Sequence, residues 1–154
     1  MHAGKDGFGA QGARGLGAIE SGNFPTVLDY GCGKGQLKRL VSHRGLPVTV
    51  YNYDPGLDVD ERRPCALVVC LDVLEHIEPE YLDAVLADIC ANTRGYLRAT
   101  ISTKKANKTL PNGKNAHRIV RDERWWREQL IRYFLITHEY WKRDQYHVWA
   151  EPRD

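Results

Sequence analysis

Val27-Leu28-Asp29-Tyr30-Gly31-Cys32-Gly33-Lys34-Gly35-Gln36 is an apolar run that stops in three alternating glycines. An apolar run bounded by glycine predicts a buried strand, here Thr26 to Tyr30. The glycines predict a tight turn whose backbone approaches a ligand closely. Leu37, Leu40 and Val41 then fall at helical spacing, so a helix over Gln36 to His43 is expected. A dinucleotide fingerprint, G-x-G-x-x-G, would require glycine at position 36. Gln36 stands there instead, and an acid, Asp29, precedes the turn.

The pattern repeats downstream. A second strand is expected over Pro47 to Tyr53, rich in β-branched and aromatic residues and closed by Asp54-Pro55-Gly56. A third run, Ala66 to Leu71, reads as a buried strand. Glu78-Pro79-Glu80 suits a helix start, with proline in the first turn and acids at the positive end of the dipole. Leu82, Val85, Leu86 and Ile89 supply that helix with its apolar face. Tyr96 to Ser102 reads as a strand and Arg121 to Tyr133 as a helix. Phe134 to Trp141 and Gln145 to Glu151 read as a hairpin turning at Lys142-Arg143-Asp144. Strands alternating with helices imply parallel βαβ units. The expected fold class is α/β: a reduced, doubly wound, Rossmann-like sheet, mostly parallel, with a C-terminal antiparallel hairpin. Such sheets bind ligands outside the carboxyl ends of their strands.

Residues 1–22 carry seven glycines and few large apolar side chains. They are expected to form an N-terminal arm or lid, with a short helix over Ala10 to Ile19, ahead of a domain spanning 23–154. His2 to Gly9 is the part expected to close over the site. At 154 residues, with 42% hydrophobic and 27% charged content, the chain suits one globular domain. It has no apolar run of membrane-spanning length and no secretory h-region, so no membrane partner and a cytoplasmic location are expected. Cys32, Cys65, Cys70 and Cys90 lack paired ligand spacing, so reduced thiols and no metal are expected. Charge is uneven: residues 1–93 hold 8 Lys and Arg against 13 Asp and Glu, whereas 94–154 hold 14 against 7. That asymmetry admits either a solvated basic face or attraction of an anionic substrate or nucleic acid.

Asp29 with Gly31-Cys32-Gly33-Lys34-Gly35 resembles motif I of the class I S-adenosylmethionine-dependent methyltransferases. Asp54 at the end of Tyr51-Asn52-Tyr53-Asp54-Pro55 resembles the ribose-binding acid of that family. Leu71-Asp72-Val73-Leu74-Glu75-His76-Ile77 resembles its segment after strand four. The chain resembles compact methyltransferase-11/12-like enzymes of bacterial or phage type. This resemblance implies S-adenosylmethionine as cofactor, held by Asp29, Gly31, Cys32, Gly33, Gly35, Tyr53, Asp54, Pro55, Leu71, Asp72, Val73 and His76. Asp29 would take the ammonium, and Asp54 both ribose hydroxyls; either is also able to cap a nearby turn. Glu75 is expected to brace the loop through backbone hydrogen bonds. One departure stands out. Only eleven residues separate Asp54 from Ala66, where the family fits a helix, a strand and a loop, so strand three is expected to be absent.

Leu110-Pro111-Asn112-Gly113-Lys114-Asn115-Ala116-His117, ahead of Trp125-Trp126, is similar to a segment of those compact enzymes. Long polar loops beside such a site tend to carry function. Asn115, His117 and His76 are therefore the candidate acceptor-contacting or proton-accepting residues, with loop bracing the alternative for Asn115 and His117. Trp125-Trp126 reads as core. The implied activity is in-line methyl transfer to a small molecule or modified nucleotide. A non-catalytic cofactor-binding partner subunit and an RNA-directed methyltransferase are the competing readings. Leu71-Asp72-Val73-Leu74 stands where an exocyclic-amine methyltransferase carries Asn-Pro-Pro-Tyr, and Pro64-Cys65 precedes its strand instead of following it.

Overall fold

The computed structural model describes residues 9–154. Seven strands form one sheet in the order β3-β2-β1-β4-β5-β7-β6. They are β1 (Thr26–Tyr30), β2 (Thr49–Asp54), β3 (Val59–Asp60), β4 (Cys65–Leu71), β5 (Thr93–Ser102), β6 (Phe134–Lys142) and β7 (Gln145–Pro152). β1 pairs in parallel with β2 and β4, and β4 with β5. β7 runs antiparallel to both β5 and β6. The expected hairpin is present and turns at Arg143, whose φ is +58°.

The edge of the sheet is reduced as expected. No parallel strand with a crossover helix follows β2 among the described residues; the edge position is taken by the two residues of β3, which run antiparallel to β2 through Tyr53–Asp60 and Asp54–Val59. Eleven residues leave no room for a crossover helix, so the chain turns straight back from β2 through a single 3-10 turn, Pro55–Leu57. A short link without a crossover permits only an antiparallel return.

Four helices cover the faces: α1 (Ala10–Glu20), α2 (Gln36–His43), α3 (Leu82–Ala91) and α4 (Glu123–Leu130). Alternation along the central strands splits the core in two. Leu28 of β1, Val68 and Cys70 of β4, and Leu97, Ala99 and Ile101 of β5 pack with Leu86 and Ile89 of α3 and Trp126 and Leu130 of α4. Val27 of β1 and Leu67, Val69 and Leu71 of β4 pack on the opposite face with Leu16 and Ile19 of α1 and Leu37, Leu40 and Val41 of α2. Burial on both faces explains why β4 reads as an unbroken apolar run. Trp126 is fully buried, as expected, while Trp125 packs beside it and under Arg121.

The helix expected over Ala10 to Ile19 forms, and Leu16, Ala18 and Ile19 bury into the same core as α2. Residues grouped in the sequence with the N-terminal arm thus pack as an integral layer. The lid expected over His2 to Gly9 lies, apart from Gly9, outside the described residues. Gly9 donates its backbone N–H to Gln36 Oε1 at 3.2 Å.

Candidate active site

The carboxyl ends of β1, β2 and β4 converge where the strand order reverses, the point at which open α/β sheets leave a crevice. A cleft of about 360 Å³ opens there, lined by Gln11, Tyr30, Gly31, Tyr53, Asp54, Pro55, Leu71, Asp72, Val73, His76, Ile77 and Val85. A narrower recess, lined by Asp29, Cys32, Gly12, Gln36 and Leu37, shares Gln11, Gly31 and Leu71 with it. Most of the residues expected at the cofactor therefore line one continuous crevice. Gly33 and Gly35 shape the turn instead: Gly33 donates its N–H to Asp54 Oδ2 at 3.0 Å, and Gly35 begins α2 with φ +78°.

Gly31 shows why the turn needs glycine. Its φ is +88°, and a Cβ there would lie 2.4 Å from Val73 Cγ2. Both the left-handed backbone and the crossing loop after β4 exclude a side chain. The amides of Gly31 and Cys32 both donate to Tyr53 O, at 2.7 and 3.0 Å, fastening the turn to the end of β2.

Two acids face the crevice in different states. Among the described residues, the Asp29 carboxyl has no hydrogen-bond donor of its own. Burial, and then the charge of Asp54, push its pKa up to about 7. Asp54 is engaged by the backbone: Oδ1 accepts from Gly56 N at 3.1 Å and Oδ2 from Gly33 N. The turn-forming role is thus real, and each oxygen keeps a second lone pair.

Asp72 is saturated by protein donors. Arg14 Nη2 reaches Oδ2 at 2.5 Å, and Thr100 Oγ1 and Gln145 Nε2 reach Oδ1 at 3.0 and 2.5 Å. Burial raises its pKa, but the Arg14 guanidinium and these hydrogen bonds outweigh that and hold it below the usual value. Its side chain ties α1, β5 and β7 to the loop after β4.

The loop before α4 brings the remaining candidates together. Asn115 Oδ1 accepts from the amides of Ala106 and His117, each at 2.9 Å, and Asn115 Nδ2 donates to Ala106 O at 2.9 Å. This amide is used to close the loop. His117 Nδ1 lies 2.5 Å from Lys104 O, and His76 Nδ1 lies 3.0 Å from Ala116 O. A carbonyl only accepts, so each Nδ1 carries a proton and, in the neutral ring, Nε2 has the lone pair. The two rings meet edge to face at 4.8 Å. Burial lowers the His76 pKa; the Ala116 carbonyl opposes it, and the neighbouring His117 adds a smaller lowering contribution.

Glu75 departs from expectation. It is fully buried, and neither carboxyl oxygen has a hydrogen-bond partner among the described residues. Only its backbone O braces the loop, accepting from Ile119 N at 3.1 Å. Burial pushes its pKa up to about 8; the charge of Asp72 adds to this, and the backbone N–H groups of Glu75 and Ser102 oppose it.

Sequence reasoning missed Gln11, Arg14, Gln36 and Gln145. Gln11 and Arg14 sit three residues apart on a foreseeable helix, which puts them on one face. The docking of that face over the crevice is a tertiary fact with no local signature. All four cysteines are free thiols. No helix among the described residues is long and apolar enough to cross a membrane.

Residues 11–151 match the family model described as a methyltransferase domain. No curated protein sequence matches the chain. Among solved structures, the chain is similar to magnesium protoporphyrin IX methyltransferase from Synechocystis with bound S-adenosylhomocysteine, at TM-score 0.67 and 19% identity over 94% of this chain and 82% of that one. It is also similar to the 1,6-didemethyltoxoflavin N1-methyltransferase of Burkholderia thailandensis, at TM-score 0.60 and 20% identity over 94% and 79%. The N-methyltransferase NodS of Bradyrhizobium japonicum matches at TM-score 0.57 and 13% identity over 94% and 86%. At these identities the solved structures establish a shared fold, while the family match spans nearly the whole chain. The chain belongs to the methyltransferase-domain family and has the Rossmann-like fold of class I S-adenosylmethionine-dependent methyltransferases.

Proposed function

We propose that this methyltransferase transfers the methyl group of S-adenosylmethionine to a small molecule or modified nucleotide bound beside His76 and His117. The observation that carries the reading is the largely buried Asp29 carboxyl at the base of the glycine turn, which has no hydrogen-bond donor among the described residues. Such a group is costly to ionise where it stands, and an ammonium placed against it removes that cost. The cofactor has this ammonium and lacks the pyrophosphate that a helix N-terminus would hold. Asp54, at the far side of the turn, would accept from the ribose hydroxyls with its remaining lone pairs.

When bound, the cofactor supplies a methyl already activated by its sulfonium. This chain's residues would bind, orient and exclude water, and positioning alone is worth several kcal/mol in such displacements. Tyr30, Tyr53 and Val85 give the cleft an apolar wall. His76 lines the cleft, and His117 touches it ring to ring. These two imidazoles are the groups we assign to the acceptor. Asn115 acts through the loop as a positioning residue.

The reading is supported by solved relatives of the same fold that carry S-adenosylhomocysteine, two of them named for small-molecule reactions. Calorimetry with S-adenosylhomocysteine tests it. One site per chain is expected, and Asp54→Ala should weaken binding by about 1–3 kcal/mol through the lost charged hydrogen bonds. Absence of binding at millimolar ligand contradicts the reading.

A further inference from the structure

Three potential metal ligands stand together beside the crevice, which His76 lines. Glu75, His76 and His117 each place one ligand atom within 4.8 Å of the others. His76 Nε2 lies 3.9 Å from Glu75 Oε1. A tetrahedral ion with bonds near 2.0–2.1 Å needs its ligand atoms about 3.3 Å apart, a closure of up to about 1.5 Å.

Two independent features point the same way. Glu75 is fully buried, and among the described residues neither carboxyl oxygen has a hydrogen bond of good geometry beyond the pull of the nearby Glu75 and Ser102 backbone N–H groups, an arrangement unfavourable to a bare carboxylate and relieved by coordination. Both imidazoles also have Nδ1 engaged by a backbone carbonyl, from Ala116 and Lys104. Histidine ligands in metal sites are oriented in this way, with the second nitrogen donating to a carbonyl and the first left as an electron-pair donor. The sequence expectation of no metal rested on cysteine spacing alone and did not weigh residues forty positions apart.

We propose that Glu75, His76 and His117 form a site for one divalent transition-metal ion, whose open coordination positions hold and polarise oxygen or nitrogen atoms of the methyl acceptor. Two imidazoles and one carboxylate suit zinc, cobalt, iron or manganese and leave room for exogenous ligands. The site adjoins the cleft through His76, which lines it. The acceptor role rests on the methyl-transfer reading above; the metal site does not.

The test is a titration of the whole apo chain with Co2+, followed by its visible absorption, with Zn2+ as competitor. One bound Co2+ per chain is expected, displaced by one equivalent of Zn2+. His117→Ala and His76→Ala should each weaken binding at least tenfold, whereas His138→Ala, on the exposed β6, should leave it unchanged. Glu75→Gln should weaken it as well; should that variant fail to fold, the histidine variants carry the result. No stoichiometric binding, or equal affinity in wild type and His117→Ala, overturns the site. S-adenosylhomocysteine calorimetry on the wild type and on His117→Ala separates this outcome from failure of the cofactor reading, because that ligand is assigned to Asp29 and Asp54 and His117 is not part of the cleft lining. If metal binds and a chelator leaves methyl transfer to the acceptor unaltered, the acceptor role is overturned.

Discussion

Arg14 of α1 and Asp72, on the loop after β4, form an ion pair at 2.5 Å. The pair joins the first helix of the described chain to the segment that lines the crevice, and both side chains are about three-quarters buried. Asp72 holds a left-handed backbone, φ +58°, an uncommon conformation kept in place by these side-chain contacts.

Removing Asp72 should therefore cost more than removing Arg14. Asp72→Ala strands Arg14, Thr100 and Gln145 together, and a loss of about 2–4 kcal/mol is expected. Arg14→Ala leaves Asp72 with its other donors and should cost about 1–2 kcal/mol. Urea denaturation of both variants checks the order. The pair also sets a pH dependence. The folded-state pKa of Asp72 is depressed, so its contribution is full above the ordinary carboxylate range and is lost as pH falls through and below it.

Asp29 gives a pH dependence of opposite sense. Its folded pKa of about 7 exceeds the ordinary 3.8. The folded ligand-free chain then binds the proton more tightly than the unfolded chain. Its stability should fall as pH rises from about 4 to about 7. Affinity for a ligand ammonium should rise over the upper part of that range, as the carboxylate forms. Asp29→Asn should flatten both trends. Thermal melts and calorimetry across pH 5 to pH 8 measure them.

Gly31→Ala should destabilise through backbone and contact together. The left-handed φ costs an alanine about 1–2 kcal/mol, and the Val73 Cγ2 clash at 2.4 Å adds to it. Val73→Ala in the same chain relieves only the second part. Partial recovery of stability, never complete, is expected in denaturant titrations.

Asn115→Ala should open the loop without unfolding the sheet. Its amide makes three hydrogen bonds at 2.9 Å, all to Ala106 and His117 backbone. Hydrogen exchange should quicken at the amides of Ala106 and His117 and stay unchanged in β4 and β5. Global stability should fall by about 1–2 kcal/mol.

Much of this architecture was legible because periodicity survives in a doubly buried sheet. The strand at Thr26–Tyr30 and the helix at Gln36–His43 are delimited by glycines and by a single apolar face, and both appear as read. β3 was not legible: two residues carry no alternation, and their pairing follows from a chain too short to do otherwise. Asp29, Asp54 and His76 could be expected at the crevice because each lies at or shortly beyond the carboxyl end of a strand. Gln11, which lines the crevice from helix α1, and Arg14 and Gln145, which hold Asp72 from α1 and from the C-terminal hairpin, could not. The Glu75, His76 and His117 cluster escaped for the same reason. Its members are joined by the path of the loop, held by Asn115 and the Lys104 and Ala116 carbonyls.

The most direct test of the account is the structure of the complex with S-adenosylhomocysteine. The account predicts the ligand's ammonium within about 3 Å of the Asp29 carboxylate, its ribose hydroxyls on Asp54, and its sulfur turned toward His76. A ligand seated elsewhere, or one in the crevice with neither acid in contact, would contradict it.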